Sequence, residues 1–252
     1  MKTLFLAWQN PVSRAWFPVG RLDFESGLYR FAYTQGAITA QQEGSFEPLF
    51  AFPKLAQVYE SVELFPLFAN RLMRRSRPEF PDFVQWLNVL ENEADPITLL
   101  ARSGGDRVTD HLEVFPCPER DEQGQYHLHF FSHGLRHLPP ETKPFIHQLK
   151  LADRLYVAHD GQNPYDKKAL LLRTKNPTIV GYCPRYLANE VFDLYHRNPE
   201  KLTVTVERIN PPPTPLKLSL LCHMTIDCAI GFQLFSSQDY QPLAVASLGL
   251  TA

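Results

Sequence analysis

The sequence predicts an α+β chain, predominantly β, built as two modules. Three observations support this. Short runs rich in Val, Leu, Phe, Tyr and Thr recur between turn residues in both halves. Proline is frequent, at 22 of 252 residues; it is unfavourable in helix interiors and central strands, so regular elements must be short and turns many. The stretch "FPCPERDEQGQ" (115–125) combines two prolines, a charge cluster and a glycine between strand-like runs. It reads as a linker and divides the chain into residues 1–122 and 123–252.

In the first half, "TLFLAW", "WFPVGRLDF" and "LYRFAYT" read as short strands, and Asp23 to Gly27 suits a hairpin turn. "KLAQVYESVELFPLFANRLM" (54–73) reads as a helix that Pro66 breaks or restarts. "EFPDFVQWLNVL" (79–90) places Phe83, Trp86, Leu87 and Leu90 at helical spacing. In "DPITLLARSGG", Asp95 is an N-cap, Pro96 opens the helix and Gly104 stops it. "HLEVFP" returns to strand. In the second half, "YHLHFFSHGL" alternates, and "DRLYVAHD", "KALLLRT", "TIVGYCP" and "KLTVTVERI" are further strands. "RYLANEVFDLYHR" is a helix with Leu187, Val191, Leu194 and Tyr195 on one face. Several short strands with one helix predict a small barrel of five or six strands. "LKLSLLCHMTI" is strand-like or irregular, and "NPPPTP" (210–215) is a stiff turn.

Composition excludes some classes. Hydrophobic residues make up 44% of the chain, enough for real cores, but no window approaches 18 uninterrupted apolar residues. The apolar run Leu4 to Trp8 is too short for a secretion signal. A cytoplasmic protein with no membrane contact is expected. Four cysteines without a CxxC pair predict reduced, buried thiols. The net charge of −2 argues against a generic nucleic-acid coat. The halves differ, with 12 Lys and Arg against 17 Asp and Glu in residues 1–124, and 13 against 10 afterwards. The weakly basic second half allows a few phosphate contacts.

No catalytic nucleophile–base pair, zinc-protease motif or dinucleotide fingerprint is present, so a non-enzymatic protein without cofactors is expected. His127 and His129 would share a strand face near His133 and His137, but no complete metal-ligand set accompanies them. "LLARSGGDR" lacks the Lys and the preceding strand of a phosphate loop and reads as a helix C-cap. The four arginines of "NRLMRRSRP" (70–78) suit either a phosphate or acidic partner, or a solvated helix end. In "NPYDKK", Asn163, Pro164 and Asp166 form a turn that carries Tyr165. An exposed Tyr on such a turn can stack a nucleobase, a carboxylate can accept a sugar hydroxyl, and Lys167, Arg185 and Arg136 can neutralise phosphates. Packing of Tyr165 inward is the competing reading.

"NPYDKKALLLR…IVGYCPR" resembles the HIRAN domain. The matching residues are Asn163, Pro164, Asp166, Ala169, Gly181, Tyr182, Pro184 and Arg185, and the upstream "HGLRHL" adds Arg136 and His137. The resemblance spans about residues 126–210 and implies a modified OB- or SH3-like barrel that grips the 3′ end of single-stranded DNA. It implies Tyr165 as a stacking ring, Asn163 and Asp166 as the clamp on the 3′ hydroxyl, and Arg136 and Arg185 as phosphate contacts, with Tyr182 close by. His137 stands where the family's studied member has a second stacking tyrosine. "VGRLDFESGLYRFAYTQGA", "FPLFANRLM" and "LLARSGGDRVTDHLEVFP" resemble, more weakly, the N-terminal α+β subdomain of HipA-type toxin kinases. That resemblance implies a module for a protein partner, so an antitoxin-like regulator of a kinase is the alternative. The leading expectation is a protein that binds single-stranded DNA or DNA 3′ ends in a repair, mobile-element or defence setting.

Overall fold

The computed structural model describes residues 1–107, 109–228 and 232–244. The chain is α+β and mostly β. In order it forms β1 (Lys2–Gln9), β2 (Trp16–Glu25), β3 (Leu28–Tyr33), α1 (Gln35–Gly44), β4 (Tyr59–Ser61) and α2 (Pro66–Ala69). Next come α3 (Phe80–Trp86), α4 (Pro96–Ser103), β5 (Leu112–Pro116), β6 (Gln125–Phe131) and α5 (Thr142–Ile146). Then follow β7 (Arg154–His159), β8 (Leu170–Arg173), β9 (Ile179–Tyr182), α6 (Arg185–Arg197), β10 (Leu202–Ile209) and β11 (Leu220–Asp227). Among the described residues, no helix is long and apolar enough to cross a membrane.

The chain divides into two units in a way that one cut near residue 122 does not reproduce. The first unit holds residues 1–77, 94–117 and the described residues from 235 onward; the second holds 78–93 and 118–234. In the first unit an antiparallel sheet runs β4-β3-β2-β1-β5. The residues after 234 return to it because their rings fill one of its faces. Tyr240 and Phe235 pack on Phe5 with ring centroids 4.9 and 5.9 Å away. Main-chain bonds tie the segment down: Gln35 N–H to the Gln241 carbonyl at 2.8 Å, and Leu243 N–H to the Tyr33 carbonyl at 2.7 Å. Segment 78–93 joins the second unit because Asn210 Nδ2 donates to the Trp86 carbonyl at 2.9 Å and Asn88 Nδ2 to Glu207 Oε1 at 2.8 Å.

The first unit's core is aromatic. Phe31 stacks on Phe52 with centroids 4.0 Å apart. The buried Tyr33 hydroxyl donates to the Phe52 carbonyl and accepts from Leu49 N–H, both at 2.7 Å. Burial pushes this phenol up to about 12. The α4 helix starts and stops where the sequence predicts. The Asp95 carboxylate accepts from Ile97 and Thr98 N–H at 3.0 and 3.2 Å, and Gly104 closes the helix in the left-handed conformation at φ 73°. The stretch 54–73 does not form the expected helix. Tyr59–Ser61 pairs with β3 instead, Tyr59 Oη accepts from Lys54 N–H at 2.8 Å, and Pro66 opens a helix of only four residues. A ten-residue α1, not anticipated from the pattern, carries the small residues Gly36, Ala37 and Ala40 on its buried face.

The arginine cluster of 70–78 is partly internal. The Arg71 side chain is 1% exposed, pairs with Asp110 at 2.5 Å and donates to the Gly105 carbonyl at 2.9 Å. It staples the segment, which removes it from any ligand surface. Three of the four thiols are buried, as expected; Cys117 is half-buried. Burial pushes the Cys183 thiol up to about 12, which keeps it protonated and inert at neutral pH.

In the second unit a six-stranded antiparallel sheet runs β6-β11-β10-β7-β8-β9. It curls so that its ends meet. His133, just past β6, exchanges two main-chain hydrogen bonds with Tyr182 of β9, at 2.9 and 3.0 Å. Ser132 Oγ, buried, donates to the Val180 carbonyl at 2.8 Å. Gly181 makes this approach possible: its φ is +127°, and a Cβ there would lie 1.8 Å from Ser132 Oγ and 2.8 Å from the His133 carbonyl. The helix α6 buries Leu187, Ala188 and Val191.

Two consequences can be measured. Asp95→Ala should lower unfolding stability by about 0.5–2 kcal/mol in chemical denaturation at pH 7, the range for N-cap removal. Burial raises the Asp95 pKa, but the Lys2 ammonium and the Thr98 hydroxyl and N–H outweigh it, so the net shift is downward from 3.8. The contribution is therefore present above that ordinary value and lost as pH falls through the lower folded-state value; the Asp95→Ala deficit should shrink in acid. Gly181→Ala should cost upward of about 2 kcal/mol, from combined clash and backbone strain. A variant as stable as the parent would rule out this closure.

Candidate nucleic-acid interface

The loop between β7 and β8 is held by its own polar side chains. Asn163 Oδ1 accepts from Tyr165 and Asp166 N–H at 3.0 and 3.1 Å, the local bond that Asn favours in turns. Asp166 Oδ1 accepts from Lys168 N–H at 3.0 Å. Asp166 Oδ2 pairs with Arg185 Nε at 2.9 Å, and Arg185 Nη2 donates to the Tyr165 carbonyl, also at 2.9 Å. The Asp166 and Arg185 side chains are only 15% and 20% exposed. The ion pair thus joins the loop to the first turn of α6 in a partly desolvated setting, where it is stronger than a surface pair.

Tyr165 itself is 75% exposed. The reading that packs it inward is excluded. Its main chain is fixed from both sides while the ring faces solvent, an arrangement that offers a flat apolar surface at low ordering cost.

Tyr182 links the loop to the rest of the site. Its hydroxyl donates to Asp160 Oδ2 at 3.0 Å, and Asp160 Oδ2 also accepts from Asn163 Nδ2 at 3.3 Å. Burial first, and then the Asp160 carboxylate, push this phenol above its ordinary value. On the other side the ring lies against Gly134, where a Cβ would come within 3.0 Å of it. Gly134 opens the turn that carries the exposed Arg136 and His137, and Arg136 Nε donates to His137 Nε2 at 2.9 Å. Lys167 is exposed beside Tyr165. Barrel closure therefore links two stretches separated in sequence, 133–137 and 160–168, through Tyr182.

Two of these residues also serve the loop itself. Arg185 is first a clamp on the loop, through Asp166 and the Tyr165 carbonyl. Asn163 spends its side-chain carbonyl on the turn. The Asp166 carboxylate has about four acceptor positions, and the bonds from Lys168 and Arg185 use two of them.

The histidines separate into two groups. His127 and His129 share a strand face, as expected, and His223 of β11 lies against both, with ring centroids 5.2 and 4.7 Å away. Carboxylates end this row: His127 Nε2 meets Asp121 Oδ2 at 2.8 Å, and His129 Nδ1 meets Glu207 Oε2. The His127 contact holds the Asp121 carboxyl below its usual range. Among the described residues no cluster could hold a metal ion. His133 serves the barrel seam through its main chain, and His137 belongs to the Arg136 turn.

The loop lock can be tested directly. Asp166→Ala should cost about 1–3 kcal/mol, the range for hydrogen bonds to a charged group. Hydrogen exchange should show lost protection at the Tyr165, Asp166 and Lys168 amides, while β10 and β11 keep theirs. Unchanged exchange in the loop would mean that the pair does not hold it.

A family model described as the HIRAN domain matches residues 125–229 and leaves the first unit outside its span. Two solved structures are similar. One is a protein from Lactobacillus plantarum, 17% identical, covering 41% of this chain and 97% of that one, with a TM-score of 0.33. The other is the HIRAN domain of human HLTF, 20% identical, covering 41% of this chain and 75% of that one, with a TM-score of 0.30. No curated protein matches the chain. The family match coincides with the strands and loops that build this site: residues 125–229 are a HIRAN domain.

Proposed function

We propose that the HIRAN domain of this protein binds single-stranded DNA and reads a free 3′ end, as a binding protein without catalytic chemistry of its own. The observation that carries this is Tyr165, a 75% exposed ring on a loop whose main chain is locked by Asn163, Asp166 and Arg185. A nucleobase stacked on such a ring gains about 1–3 kcal/mol. Asp166 accepts the terminal hydroxyl through its remaining lone pairs, and a terminal phosphate there meets carboxylate repulsion. Exposed Arg136 and Lys167 neutralise the adjoining phosphates, and His137 offers a second flat ring. Tyr182 positions the two stretches. The modest charge of the chain suits a grip on a strand end rather than a long electrostatic track.

The test is fluorescence anisotropy with one labelled oligonucleotide in three forms: free 3′ hydroxyl, 3′ phosphate and full duplex. Tightest binding is expected for the free hydroxyl. Tyr165→Ala should weaken that complex on the order of tenfold, which corresponds to a single stacking contact. Asp166→Asn keeps the shape of the side chain and should narrow the gap between hydroxyl and phosphate ends. Equal affinity for all three forms in the parent protein would sink the end-reading function.

A further inference from the structure

We infer that the outward face of β7 and β8, around Arg154, Tyr156 and Arg173, is a second contact for the same single strand. It would take the phosphates that precede the held end. This inference rests on the reading of the domain as a single-strand binder.

Arg154 and Tyr156 are two apart on β7 and so share a face; Tyr156 stands directly opposite Arg173 of β8. Both guanidinium groups lie over the one ring, with their carbons 5.5 and 5.4 Å from its centroid. Arg173 Nη1 also donates to the Thr174 carbonyl at 3.3 Å. Among the described residues neither arginine has a carboxylate partner. Two like charges are thus gathered on one aromatic platform with no ion pair, although Asp153 adjoins Arg154 in sequence and Glu200 lies in the neighbouring groove. Asp153 instead accepts from Lys150 N–H at 2.8 Å. An anion lying across both arginines relieves their repulsion, and a phosphate suits their planar donor sets.

A groove of about 210 Å³ opens beside this pair, lined by Arg154, Tyr156, Val157, Tyr195, Pro199 and Glu200 among others. It exists because β7 pairs with β10 only at Arg154 and Leu155, after which the strands separate. Glu200, whose Oε1 accepts from Asn198 Nδ2 at 3.3 Å, keeps a sugar-phosphate chain off that side. The phosphates then lie over the arginines, and a base enters the groove that Tyr156 and Tyr195 help to line.

The position fits a continuing strand. Ala158 pairs with Leu171 and Leu171 with Tyr182, so Tyr182 and Tyr156 project from the same face of the sheet. Four steps along the chain lead from Tyr156 to Asp160, just past the end of β7, about 13 Å at the usual strand rise. A strand held at the Tyr165 loop can run along this face and reach Arg154.

The test compares dithymidylate with decathymidylate, both with free 3′ hydroxyls, by calorimetry on the full chain. The dinucleotide reaches only the Tyr165 loop; the ten-mer spans both places. Arg154→Ala with Arg173→Ala should weaken the ten-mer on the order of tenfold, leave the dinucleotide unchanged, and reduce the salt slope by about 1.4, for two single-strand phosphates. Tyr156→Phe keeps the ring and should match the parent, whereas Tyr156→Ala should resemble the double variant. Tyr165→Ala should weaken both ligands. A double variant that binds the ten-mer as the parent does, with the same slope, overturns the second contact and leaves the end-reading function standing. A parent that binds neither strand overturns both. Matching thermal midpoints show that each variant is folded.

Discussion

The closure of the second unit's sheet depends on the absence of one side chain. At Gly181 the seam strands approach so closely that no Cβ fits between the β9 backbone and Ser132. The bond pair between His133 and Tyr182 forms across this gap. Closure satisfies main-chain groups at the two ends of the sheet, which would otherwise need water or another chain. It also sets the angle of Tyr182, whose ring covers Gly134 and whose hydroxyl reaches Asp160. The stretch 133–137 and the loop 160–168 share a site only because this seam exists.

Within that frame the candidate site is held by polar contacts. The Tyr165 loop has almost no apolar anchor: Asn163, Asp166 and Lys168 bond locally, and Arg185 closes it from α6. Such bonds are directional, so they fix a main chain more sharply than non-directional apolar burial would. The result is an exposed ring whose ordering cost is met before any ligand arrives. Asp166 and Arg185 shape the loop, and the capacity they keep for a ligand is what the shaping bonds leave over.

The first unit follows another logic. Its sheet is covered by aromatic packing, and chain segments far apart in sequence contribute to it. Phe5, Phe115, Phe235 and Tyr240 meet on one face, and Phe31, Phe52 and Phe68 on the other. Arg71, buried against Asp110 and the Gly105 carbonyl, ties the chain just after α2 to the stretch that leads into β5. Asp110 and the Gly105 carbonyl give this one arginine partners inside, while Arg74, Arg75 and Arg77 are exposed; removing Asp110 would leave an uncompensated buried charge.

Features with a local cause were legible in the sequence. Strand-like runs between turn residues gave nine of the strands and left β11 as strand-like or irregular, because strand and turn residue types are written directly in residue order. Asp95, Pro96 and Gly104 marked the ends of α4 because capping is settled within a few residues. The Asn163 turn and the HIRAN residues were legible for the same reason. Other features needed the folded chain. The stretch 54–73 has helical composition, yet β3 offered Tyr59–Ser61 a partner strand, and sheet pairing overrode propensity. Residues 235–244 carry no signal of their destination, since an aromatic run does not say which distant face it will cover. His223 could not be placed between His127 and His129 before the β6–β11 register was known. Nor could the sequence say that Asp166 would spend an oxygen on Arg185, or that Arg154 and Arg173 would share one tyrosine ring. Local chemistry determined which residues could bind. The three-dimensional pairing of strands decided which of them stand together, because side chains far apart in sequence meet only through register and closure.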